Sequence, residues 1–170
     1  TNPYLPANTV DTDGDGWLRL TESSNDQATY ALFDSEIFSV NAQIEIEMEY
    51  AFWDDNNVAP DSGADGITFF LVDGDVDSGS FSPGAFGGSL GYAQKTIAGG
   101  AAVDADGMED AYLGFGFDNY GNYSNGNEGR DGGITNNNTK YANRVAVRGP
   151  DDGDNDNATG WEFIEASDDL

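Results

Sequence analysis

The sequence predicts an all-β chain folded as an antiparallel β-sandwich, and three observations predict it. Apolar and polar residues alternate with a period of two in several stretches, the spacing of a strand with one buried face. Helical periodicity does not recur. Clusters of Gly, Asp, Asn and Ser separate the alternating stretches, and these residues form turns and loops. Strands and turns alternating through a chain of 170 residues stack naturally as two sheets of a single domain spanning the whole chain.

The elements follow in order. Residues 17–21 and 29–33 are the first strand candidates. The clearest is 43–53, where Ile44, Ile46, Met48, Tyr50 and Phe52 share one face and Glu45, Glu47 and Glu49 the other. That pattern describes a half-buried strand. Further strands are expected at 67–72, 89–93, 112–117, 144–148 and 161–164. Residues 149–160 are nearly all Asp, Asn and Gly and read as a loop rather than a linker.

Charge narrows the partners. There are 32 acidic residues against 6 basic ones, a net charge of -26. A surface of that sign repels itself at low salt, so cations and salt are its natural companions. Nucleic acid and anionic lipid add negative charge to negative, which argues against nucleic-acid binding and direct membrane binding. The 12% aromatic content separates the chain from a disordered acidic tail. There is no Cys and no His. The lack of His removes the side chain best suited to proton transfer near neutral pH. The chain starts at Thr1, which reads as a mature segment.

Three stretches carry the motifs. Residues 63–94 read GADGITFFLVDGDVDSGSFSPGAFGGSLGYAQ, 112–133 read YLGFGFDNYGNYSNGNEGRDGG, and 143–150 read NRVAVRGP. With GDGWLRLT at 14–21, this order resembles the L-type, or legume-lectin-like, domain of bacterial surface proteins, over most of the chain. The resemblance implies a jelly-roll β-sandwich and binding of glycans or cell-surface polysaccharide, and the chain is not expected to be an enzyme. It implies an Ala64–Asp65 pair, often joined by a cis peptide, that presents Asp65 to sugar hydroxyls; a carboxylate acceptor makes that hydrogen bond strong and directional. It also implies a backbone N–H offered to the sugar by the Gly-rich turn, here Gly87 and Gly88, where glycine permits close approach. The plain alternatives are a turn acid before Gly66 and an ordinary hairpin turn.

The same resemblance implies a calcium ion held by Asp118, the Tyr120 carbonyl and Asn122, with Asn122 also reaching the sugar. Oxygen donors at alternating positions suit calcium. The next acidic ligand is replaced, with Asn127 and Glu128 the nearest substitutes. Gly116 stands where a transition-metal site needs Glu, and Asn143 or Arg144 where it needs His, so a second, transition-metal site is not expected. Two further acidic groups are candidate calcium ligands. Asp11, Asp13, Asp15 and Glu22 have EF-hand spacing but no flanking amphipathic helices. Asp151, Asp152, Asp154 and Asp156 cluster in the late loop, and such runs are commonly just solvated.

Secretion, or display on a bacterial cell surface as part of a large adhesin with other domains of the same protein as partners, follows from the calcium chemistry. The sequence stops at Leu170, before the last strands expected of such a domain, which suggests a fold lacking or separated from its final strands. A scaffold that keeps the fold without using the sugar site is the second function class. A glucan hydrolase is the third, because the fold family that the chain resembles also includes such enzymes with a Glu-x-Asp-x-Glu strand, and Glu45, Glu47 and Glu49 come near that pattern. Retaining chemistry needs carboxyls about 5 Å apart, whereas residues four apart on a strand have Cα atoms about 13 Å apart, so an acidic solvent face explains these three better.

Overall fold

The computed structural model describes residues 18–21, 27–33, 45–50, 52, 63–153 and 159–170. Its strands are β1 (Gly66–Val72), β2 (Ala111–Asp118), β3 (Arg144–Arg148) and β4 (Phe163–Ala166). They form one four-stranded sheet in the order β1-β2-β3-β4, with every neighbouring pair antiparallel. Among the described residues there is no α-helix, only short 3-10 turns at Gly87–Ser89 and Asn127–Gly129. No helix among them is long and apolar enough to cross a membrane.

Register divides the sheet into two faces. Thr68 pairs with Gly116, Phe70 with Gly114, Gly116 with Ala146 and Gly114 with Arg148, so these residues share a face. That face carries the core, in which Tyr92, Ala93, Met108, Ala111, Tyr123, Ala146 and Trp161 are buried and Phe70, Leu90 and Phe163 pack against them. The Gly-x-Gly of β2 makes the packing possible. A Cβ at Gly116 would come within 2.3 Å of the Tyr123 ring, and one at Gly114 within 2.7 Å of Tyr92, so both rings lie flat on the strand backbone. Tyr92 donates its hydroxyl to Gly149 O and Trp161 its indole N–H to Met108 O, at 2.8 and 3.0 Å. These bonds let amphipathic rings be buried without stranding a donor.

The opposite face carries Ile67, Phe69 and Leu71 of β1, Leu113, Phe115 and Phe117 of β2, and Val145 and Val147 of β3. All are partly buried. Tyr50 lies against this face, its ring 4.7 Å from that of Phe117.

Several expected strands differ from the structure. Residues 89–93 begin inside the 3-10 turn, with Leu90 and Gly91 in the left-handed region (φ 53° and 70°). The chain closes on itself there, through Leu90 N–H to Gly87 O and Tyr92 N–H to Ser89 O, and local turns outcompete a ladder. The last strand starts at Phe163 rather than at 161 because Trp161 has φ 50° and turns its ring into the core. Of 43–53, the described residues 45–50 and 52 form no strand, and Ile46 and Met48 are 50% and 40% exposed. Alternation supplies the faces of a strand, but a strand also needs a neighbour to complete its ladder. The described parts of 17–21 and 29–33 are likewise not strands.

Candidate functional site

Three segments meet at one end of the sheet. Gly66 pairs with Asp118 across β1 and β2, so the residues before β1 and after β2 are neighbours. They are tied by Asn119 Nδ2 donating to Gly63 O at 2.9 Å and Tyr120 N–H to Asp65 O at 3.1 Å. The Ala64–Asp65 peptide is cis. The third segment is the turn Gly87–Ser89. A Cβ on Gly87, which has φ 71°, would stand 3.6 Å from Asp65 Oδ2 and 3.0 Å from Lys95 Nζ. One on Gly88 would meet Asn122 Cβ at 2.4 Å. Asp65, Gly87, Gly88 and Asn122, expected at one site, therefore lie in one patch, and the glycines are what let its walls approach.

Electrostatics there are mixed. Burial pushes the Asp65 carboxyl above the ordinary aspartate range, Lys95 opposes that, and Asp118 and Glu128 reinforce it. Lys95 is 8% exposed and fixed by a two-way backbone bridge to Ala105. Its ammonium sits 4.7 Å over the Phe86 ring and 3.9 Å from Glu128.

Asp118 lies beneath the patch, 1% exposed. Its Oδ1 accepts from Gly121 N–H at 2.7 Å, and its Oδ2 from both the N–H and the hydroxyl of Ser124 at 2.8 Å. Burial raises its pKa, while these hydrogen bonds pull the other way. Two buried arginines complete the loop after β2. Arg148, with no exposed surface, donates to the carbonyls of Tyr123, Asn125, Asp131, Gly132 and Trp161 at 2.9 to 3.2 Å. Arg130, 3% exposed, donates to Asn125 O at 3.2 Å, Ser89 Oγ at 3.0 Å and Glu128 Oε2 at 3.0 Å. It also donates to Asn125 Oδ1 at 3.5 Å and to Asn127 Oδ1.

These partners decide how well the expected donors fit a calcium ion. A carboxylate offers about four lone-pair directions, and three of those of Asp118 are filled by protein donors. Asn127 and Glu128, the alternatives for the remaining ligand, each accept from Arg130, Asn127 through Oδ1 and Glu128 through Oε2. Calcium takes six to eight oxygens, waters among them, and with Asp118 and Asn127 already engaged by protein donors this set fits it poorly. Of the other acidic candidates, Asp151 accepts from Gly153 N–H at 3.1 Å as a local turn, and Asp152 is exposed. Asp11, Asp13, Asp15, Glu22, Asp154 and Asp156 lie outside the described residues. Glu45, Glu47 and Glu49 are exposed.

Sequence reasoning missed Arg130, Lys95, Ser124 and Arg148. A signal was present: the chain has only 6 basic residues, and Lys95, Arg130 and Arg148 are buried. In so acidic a chain, a cation placed inside is placed for a reason. Comparison with protein-family models, curated proteins and solved structures returned no match.

Proposed function

We propose that this chain is a carbohydrate-binding, adhesive module of a secreted or bacterial cell-surface protein, and that the patch of Asp65, Gly87, Gly88 and Asn122 is its glycan site. The observation that carries the reading is the convergence of these four residues from three separate segments. A half-buried carboxylate accepts hydroxyl protons, the Asn122 amide both donates and accepts, and the glycine turn lets backbone approach a flat ring closely. Neutral sugars suit a patch where Asp65, Asp118 and Glu128 outnumber Lys95 and Arg130 by only one charge. In this reading calcium acts as a counter-ion to the charge of -26 rather than as a ligand beneath the sugar.

The fold that goes with this reading is the L-type β-sandwich. The eight apolar side chains on the far face of the sheet support it, since a sheet with two apolar faces calls for a layer on each. A glycan array tests the function. Wild-type protein is expected to bind a defined set of glycans. Asp65→Asn is expected to weaken that binding at least about tenfold through loss of a charge-assisted hydrogen bond, and Asn122→Ala to weaken it less, through loss of neutral amide hydrogen bonds. An array on which the folded wild-type protein binds nothing would favour the non-binding scaffold instead.

A further inference from the structure

The loop that the sequence offers to calcium already contains a cation. We propose that Arg130 is the resident cation of this site, taking the place open to a divalent ion, so that the patch is built without metal. Asn127 and Glu128 could each have supplied the last calcium ligand, and Arg130 binds an oxygen of each, Asn127 Oδ1 and Glu128 Oε2. Its Nη1 also reaches Ser89 Oγ at 3.0 Å. The guanidinium thus links the Gly87–Ser89 turn to the Asn127–Gly129 turn, as a bridging ion would.

A guanidinium suits this task because it is planar, permanently charged and carries five donors in a fixed fork. Its charge is balanced locally by Glu128 at 3.0 Å, and Asp118 and Asp65 lie within its field. A divalent ion entering the same space would face that charge across a poorly hydrated interior, where repulsion is weakly screened. Asp118 is then an acceptor that shapes the loop through Gly121 and Ser124, and Arg130 is a positioning residue that joins this loop to the glycine turn. The inference concerns how the patch is built and stands independently of what the patch binds.

Amide hydrogen exchange at Gly121 and Ser124, whose N–H groups bind Asp118, reads the loop directly and needs no glycan. It is measured on the wild-type chain in chelator, in calcium, and in magnesium at equal ionic strength, since any salt screens the charge of -26. Equal protection in all three is expected. Arg130→Met is expected to lower protection of these amides about tenfold or more through local opening. Arg130→Lys, which keeps the charge, should recover part of it, and calcium should restore neither variant. Wild-type protection that collapses in chelator and returns with calcium but not magnesium overturns the proposal, as does undiminished protection in Arg130→Met. Should Arg130→Met fail to fold, the wild-type comparison alone decides.

Discussion

Arg148 and Arg130 are both buried guanidiniums and share an acceptor, the Asn125 carbonyl, yet they hold different things. The acceptors of Arg148 are all backbone carbonyls, drawn from residues 123–132 and from Trp161. Most of those of Arg130 are side-chain oxygens, including the carboxylate of Glu128. A carbonyl follows the main chain, so Arg148 fixes the path of the loop. A side chain can turn to another partner, so Arg130 fixes how one loop meets the next. One belongs to the fold and the other to the site.

The largest expected effect breaks the first half of that comparison. Arg148→Met strands several buried carbonyls at once and is expected to cost on the order of 3–5 kcal/mol, lowering the denaturant midpoint sharply. Because both arginines use Asn125 O, Arg148→Met combined with Arg130→Met should depart from additivity in a double-mutant cycle. Asp118→Asn comes next. The amide turns a donor toward N–H or hydroxyl groups that need an acceptor, which should cost about 1–3 kcal/mol, read by thermal unfolding and by faster exchange at Ser124.

The smallest expected effect on stability is that of pH at Asp65. Its pKa is raised by burial, so protonation favours the folded chain, and this stabilising contribution is present at low pH and lost as pH rises through the folded pKa. On the proposed function, sugar binding would run the other way, because the ionised carboxylate would be the acceptor. Glycan affinity is therefore expected to fall on acidification with a midpoint above 3.8, the ordinary aspartate value. A pH titration of binding in which the midpoint lies at or below that value would remove Asp65 from direct contact.

What could be read from sequence follows the physics of each signal. Strands β2 and β3 were legible because alternating residues must face either the core or the other side, and Arg144–Arg148 falls where it was expected. Residues 89–93 were not, because a left-handed Leu90 leaves no mark in hydrophobic pattern. Nor was the exposed state of Ile46 and Met48, since pattern gives a strand its faces and not its partner. Within the site, the FDNYGN and GADG motifs led to residues that do meet in space. The choice of cation is where the sequence reading and the proposal above part, for a specific reason. The oxygens of Asn127 and Glu128 offer the same lone pairs to calcium and to guanidinium, so motif spacing alone does not distinguish the two cations, whereas the position of Arg130 bears on the choice.

The most direct test of the account is glycan-array binding by the wild-type protein, measured in excess chelator and again in calcium. A patch built on Arg130 and presenting Asp65 should bind the same glycans with the same strength in both. Binding that appears only with calcium would return the site to a metal ion, and a folded protein that binds no glycan in either condition would contradict the assignment of the patch itself.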